Sequence, residues 1–255
     1  MAAGAKERPL AGKVALVTGG GKNIGRAIAE TLAAEGAAII VNGRREREAV
    51  EAVVETIVAA GGVAMAAMGD VSDPEVVPRM VAQAAEAMGG IDILVSNSGL
   101  RRQTPFLAIS FAEWREILSV ALDGAFLMAK AVVPHMIARG GGAIVALSGI
   151  STHVGTPERA HVSASKSGLE GLIRALAIEL APHRITCNAI APGAIDTVRG
   201  TSSGPHSPQW TDERIPLRRK GKVAEIAAMV RLLVGPEGGY VTGQTIHVNG
   251  GAFLT

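Results

Sequence analysis

The sequence predicts an α/β fold: a single domain, spanning 1–255, built on a doubly wound parallel sheet of about seven strands with helices on both faces. Three observations carry this. Short β-branched or aliphatic runs alternate with longer segments of helical period, the pattern of βαβ units. Of 255 residues 48% are apolar and only 3% aromatic, so the core is built from Ala, Val, Ile and Leu, which suits strands buried between Ala-rich helices. The length is that of one large domain, and right-handed crossovers distribute the helices over both faces.

The first strand is "VALV" from Val14, and a glycine cluster, "TGGGKNIGRAIA", follows it and opens a helix. "AIIVN" and "VAMAAM" are the second and third strands. Ser72 and Asp73 precede Pro74 as a helix start before "EVVPRMVAQAAEAMGG". "IDILVS" is the fourth strand, and Ser110 stands at the head of a long helical segment beginning "FAEWREIL". "GAIVAL", "RITCNAI" and "TIHVN" complete the set, with the small-residue helix "SASKSGLEGLIRALAIELA" before the sixth strand. The one long connection without periodicity, 194–219, is rich in Ser, Gly and Pro and follows a strand end, where ligand loops of such sheets lie; it is the candidate substrate lid.

Composition excludes several classes. A net charge of +2 does not suit a nucleic-acid partner, and the basic run "RRKGK" from Arg218 reads as a solvated loop. The single cysteine, Cys187, allows neither a disulfide framework nor a metal cluster and suits a reducing compartment. The N-terminus carries charges where a signal peptide needs an apolar stretch, and no uninterrupted apolar run is as long as a membrane span. The expectation is a soluble cytoplasmic protein with a small-molecule substrate and no membrane partner.

The glycine cluster lets backbone approach a pyrophosphate, and the helix start behind it offers free amides and a partial positive charge. With these features the chain resembles the classical short-chain dehydrogenase/reductase family, whose fold is Rossmann-like. Thr18, Gly19 and Gly25 match that family's glycine motif, with Ile24 before the last glycine and Asn23 in place of the middle one. Asn is the non-glycine residue that best tolerates a left-handed backbone. "GDVSD", with Asp70 and Val71, looks like the adenine-contacting segment, and "SNSG", with Asn97 and Gly99, like an altered N-N-A-G. "NAIAPGAIDT", with Pro192, Gly193, Ile195 and Thr197, looks like the nicotinamide-side loop. After the second strand stand Gly43, Arg44 and Arg45 where an acid would select NAD, so Arg44, with Lys22 from the glycine loop, predicts NADP(H) as the cofactor.

In the family a tyrosine one helical turn before a lysine moves the proton, a serine after the fifth strand orients the substrate, and an asparagine in the fourth helix holds a water. Lys166 matches the lysine and is implied to hold the nicotinamide ribose, but the other positions fall on Val162, Gly149 and Ala121. The only tyrosine is Tyr240, in the C-terminal motif. Substitutes for the missing acid are His161, which either donates the proton or packs at the helix start, and Ser148 or Ser151 beside the serine position. Ser163 is a poor acid. Asp123 and Glu170 read as surface or helix-pair residues, and His153 and His206 as loop bystanders. Trp210, His206, Arg101 and Arg102 either line a pocket for an acidic or aromatic ligand or lie on the surface.

The resemblance implies an oxidoreductase with a non-standard proton donor, acting on a carbonyl or alcohol or on an activated C=C bond. For the second, the chain is similar to the peroxisomal 2,4-dienoyl-CoA reductases, which also lack the tyrosine, although Ala121 replaces their acidic residue. A non-redox lyase or isomerase and a catalytically silent cofactor-binding subunit are the alternatives. The family also implies a homotetramer.

Overall fold

A computed structural model of the protein describes residues 8–198 and 211–255. All seven aliphatic runs are strands: β1 Val14–Val17, β2 Ala38–Gly43, β3 Ala64–Met68, β4 Ile93–Ser96, β5 Gly142–Leu147, β6 Ile185–Pro192 and β7 Thr245–Val248. They form one parallel sheet in the order β3-β2-β1-β4-β5-β6-β7. The direction of winding reverses between β1 and β4, and at such a switch point a crevice opens beyond the carboxyl ends of the strands.

Alternation along each strand sorts the aliphatic side chains into two cores. Leu16, Ile40, Leu94 and Ile144 face the layer formed by α3 (Val76–Met88), α5 (Gly124–Ala138) and α7 (Ala160–Leu180). Val17, Ile39, Val95 and Val145 face α1 (Asn23–Ala34), α2 (Arg47–Ala59) and α8 (Val223–Val234). Both layers are nearly free of aromatic rings, as the composition requires.

Helix starts follow the signals in the sequence. Asp73 Oδ1 accepts from the amides of Glu75 at 2.8 Å and Val76 at 3.1 Å. Ser110 Oγ accepts from the Glu113 amide at 3.1 Å and caps α4 (Phe111–Leu118). Between α4 and α5, Ser119–Asp123 form a π turn. The continuous helix Phe111–Ala138 is long and apolar enough to cross a membrane by length and composition, although no single apolar run in it reaches that length. Met128, Val132 and Met136 on it are fully buried in the α3, α5 and α7 layer.

The candidate lid of 194–219 is described only in part. Ile195 pairs with Gly221, and Asp212–Arg214 form a single 3-10 turn. Residues 199–210, with His206 and Trp210, lie outside the described residues.

Cys187 is buried in β6, and burial pushes its thiol up to about 12. A disulfide reagent is therefore expected to leave the native protein unlabelled at neutral pH and to react once denaturant is added, since the thiolate is the reacting form. Stoichiometric labelling of the native protein would contradict that burial.

Candidate active site

Three segments meet at the carboxyl ends of β1, β4 and β5. After β1 the glycine loop turns through Gly19 at φ +60° and Asn23 at φ +50°, so the left-handed position expected of Asn23 is observed. Thr18 Oγ1 accepts from the amides of Asn97 at 2.9 Å and Ser98 at 3.0 Å, while Asn97 Nδ2 donates to the carbonyls of Thr18 at 3.0 Å and Gly19 at 3.1 Å. The residues after β4 thus brace the loop from inside. A Cβ on Gly25 would lie 2.2 Å from Gly19 O, so only glycine lets α1 start this close to the loop. Among the described residues no side chain caps that start, and its first turn holds no acid. The amides that begin α1 are consequently left for an anion. A crowded glycine cradle ending in an uncapped helix start fits a dinucleotide pyrophosphate.

Asn23 also does something the sequence did not reveal. Its Nδ2 donates to Val198 O and its Oδ1 accepts from Val198 N, both at 2.9 Å, tying the segment after β6 across to the glycine loop. In the same segment the Ile150 amide donates to Pro192 O at 3.0 Å and the Gly193 amide to Val248 O at 2.9 Å. A Cβ on Gly193 would meet Asn249 Cα at 2.7 Å. Ile195 is buried and Thr197 partly so, next to the tether.

At the end of β2, Arg44 Nη1 lies 3.2 Å from Asp70 Oδ2, and Lys22 Nζ lies 2.8 Å from Glu46 Oε1. Burial raises the Asp70 carboxyl, but bonds from Ser72 and Arg44 outweigh it and hold the group below its usual range. Both ion pairs are exposed enough to contribute little to stability and to yield to a stronger anion. Val71 is buried and packs where a Cβ on Gly124 would meet its Cγ2 at 2.9 Å.

Lys166 Nζ donates to Leu147 O at 2.6 Å, across from Gly99, where a Cβ would come within 3.3 Å of the ammonium. Burial, and then the neighbouring Arg101 guanidinium, push the Lys166 ammonium down to about 8. One turn earlier on α7 stands Val162, buried and without a titratable group, and Ala121 is buried in the π turn. Gly149 is open: the nearest atom to a Cβ there is Ser151 Oγ at 3.9 Å.

The structure separates the other candidate acids from Lys166 by their partners. His161 is fully buried, with Nε2 3.0 Å from Glu113 Oε1 on α4, so it packs between helices. Glu113 also accepts from Thr104 Oγ1 at 2.6 Å, and that bond, followed by the one from His161, holds its carboxyl below the usual range. Ser148 Oγ donates to Glu170 Oε1 at 2.5 Å. Glu170 corrects the expectation of a surface residue: it is buried one turn beyond Lys166 and also meets Thr152 Oγ1 at 3.3 Å and His153 Nε2 at 3.1 Å on the short helix α6 (Ser151–Val154). His153 in turn packs against His247 and Phe253. A buried acid four residues after a helical lysine was visible as spacing, but its partners, Ser148 and α6, come from the connection after β5, whose path the sequence does not give. Ser163 Oγ reaches the Ser151 carbonyl at 3.4 Å, Asp123 pairs with Arg115 on the surface, and Tyr240 is fully exposed.

Comparison with known proteins extends along nearly the whole chain. A family model described as Enoyl-(Acyl carrier protein) reductase matches residues 19–252. The 3-oxoacyl-[acyl-carrier-protein] reductase FabG of Staphylococcus aureus is 38% identical over 242 residues, covering 95% of this chain and 98% of that one. The enzyme of the same name from Aquifex aeolicus is 39% identical, covering 97% and 100%. Among solved structures, a short chain dehydrogenase from Burkholderia cenocepacia in complex with NADP superposes with a TM-score of 0.89 at 36% identity, covering 96% of this chain and 99% of that one. A putative short-chain alcohol dehydrogenase from Sinorhizobium meliloti gives 0.91 at 39%, covering 97% and 98%.

Proposed function

The chain belongs to the short-chain dehydrogenase/reductase family of oxidoreductases, and from that premise we propose that it is an NADPH-dependent reductase of a carbonyl compound in which Lys166 supplies the proton. The carrying observation is the pairing of Lys166, its ammonium brought to about 8, with Val162 at the position one turn before it. An acid whose pKa lies near the working pH transfers a proton most effectively.

When bound, NADPH supplies a hydride. The residues proposed to hold it are Thr18, Gly19, Asn23, Ile24 and Gly25 at the pyrophosphate, Asp70 and Val71 at the adenine, and Asn97, Gly99, Pro192, Gly193, Ile195 and Thr197 towards the nicotinamide, with Lys166 at its ribose. Arg44 and Lys22 are proposed to exchange their exposed carboxylate partners for the additional phosphate of NADP. As the carbonyl is reduced to the hydroxy product, Lys166 would give a proton to its oxygen, directly or through one water, and the amine would be reprotonated from solvent. The acid must be protonated, so reduction is expected to fall as pH rises through about 8 and alcohol oxidation to rise over the same window. Relatives named 3-oxoacyl-[acyl-carrier-protein] reductase and a short chain dehydrogenase solved in complex with NADP support a carbonyl substrate and this cofactor. His161 and Ser148 already have carboxylate partners, which favours Lys166 over either as the donor. The same reading makes the protein a cytoplasmic homotetramer.

Fluorescence titration tests the cofactor half. NADPH is expected to bind at least tenfold more tightly than NADH, and Arg44→Ala to bring the two within a few-fold of each other, the loss of a charge-assisted phosphate contact of about 1.5–3 kcal/mol. Equal binding by the wild type would remove the role given to Arg44.

A further inference from the structure

In the sheet β6 is separated from β1 by β5 and β4, yet the segment after β6 is bonded to the loop after β1. Neighbouring strands lie about 4.8 Å apart, so the span from β6 to β1 is roughly 14 Å. The chain from Pro192 to Val198 covers that distance at about 3.3 Å per residue when extended. It crosses the carboxyl ends of β5 and β4 on the way, and it is held as it goes. Gly193 is bonded to Val248, while Ala194 O and the Asp196 amide meet Gly221 at 2.9 and 2.8 Å. Ile195 packs into the layer of α1, α2 and α8. The last hold is that of Asn23 on Val198.

The crevice therefore has two walls. Gly99 and Lys166 form one, on the side of α7, and residues 193–198 form the other, on the side of α8. A dinucleotide reaching from the first amides of α1 to Lys166 lies between them. Asn23 is the first residue of α1, so its bonds to Val198 close the gap beside those amides. The side-chain amide offers a donor and an acceptor side by side, and each meets its complement on one residue. A glycine here, which φ +50° also suits, would leave this end of the segment unattached. Both bonds are exposed to solvent, so water replaces them at small net cost and the buried holds behind them stay in place.

We propose, resting on the cofactor placement above, that Asn23 and Val198 form a clasp over the dinucleotide, which opens to admit or release it and is closed in between. The side chain of Asn23 thereby sets the rate of cofactor exchange. A clasp made equally well with and without cofactor slows entry and exit alike and leaves affinity nearly unchanged, since it does not discriminate between the two states.

Stopped-flow fluorescence of NADPH with the full-length protein measures both rate constants, association from its concentration dependence and dissociation by displacement with excess NADP⁺. Asn23→Gly is expected to raise the two together by about tenfold, the worth of one to two exposed hydrogen bonds, with Kd changed by less than about threefold. Val198→Ala removes an 84% exposed side chain but neither backbone bond, and is expected to leave both constants as in the wild type. A rise in dissociation alone on Asn23→Gly would make the side chain an ordinary cofactor contact and overturn the clasp. Unchanged rates in Asn23→Gly overturn it too, as do faster rates in Val198→Ala. In each of these cases NADPH still binds and the cofactor placement stands, whereas a wild type that binds no NADPH removes the placement and the clasp together.

Discussion

Replacing Val162 by tyrosine and Gly149 by serine together is expected to raise NADPH-dependent ketone reduction by about 100-fold or more, the contribution of a well-placed general acid. Val162 precedes Lys166 by four residues, so a phenol there shares a helix face with the ammonium. A cation at that distance lowers the phenol pKa towards the working range. Gly149 has room for the hydroxyl, since the nearest atom to an added Cβ is 3.9 Å away. Val162 is buried, so the larger ring is expected to cost about 1–3 kcal/mol of stability, visible as a lowered Tm. Single-turnover rates with saturating NADPH give the comparison. A variant that folds and binds NADPH but gains nothing would show that the proton is not what limits the wild type.

Lys166→Met is expected to remove turnover by about 100-fold or more and to weaken NADPH binding, because one side chain is given both the proton and the ribose. Its effect on stability has a definite pH signature. The folded-state pKa, about 8, lies below the ordinary value of 10.5, so the wild type carries the full penalty of a charged, desolvated lysine below about pH 8. That penalty fades as pH rises towards 10.5 and is absent above it. Wild type should therefore gain on Lys166→Met by about 1–3 kcal/mol across that window, a range reduced because the side chain is only partly buried. Parallel denaturation curves at pH 7 and pH 10.5 measure the difference. A gap independent of pH would place the lysine in an environment like water and would take away its fitness as an acid.

Strands and cofactor loop were legible in the sequence because each rests on local chemistry. Continuous aliphatic runs have one stable fate between two helical layers, and Asn23 at φ +50° is where Asn replaces glycine most cheaply. That Val162, Gly149 and Ala121 stand at the family's catalytic positions was readable only through the resemblance. What escaped depends on contacts across long loops. Glu170 is helical and looks solvent-directed by composition, yet Ser148, Thr152 and His153 fold over it from the segment after β5. His161 could have pointed to the substrate or to a helix, and only the placement of Glu113, 48 residues earlier, decides it. The hold of Asn23 on Val198 joins residues 175 apart, which no local pattern encodes.

The π turn Ser119–Asp123 amounts to one surplus residue in an otherwise regular helix. Each residue turns an α-helix by about 100°, so the surplus sets α4 out of phase with α5 by roughly that angle. Ile117 before it and Met128 after it are both fully buried with that offset in place. An ancestor or relative shorter by one residue here would carry an unbroken helix, but its α4 would be rotated, and Glu113 with it, away from the nitrogen of His161. Length at this point in the chain is therefore not neutral: a single insertion or deletion in 119–123 rewires the contact between α4 and the start of the lysine-bearing helix while leaving every strand where it was.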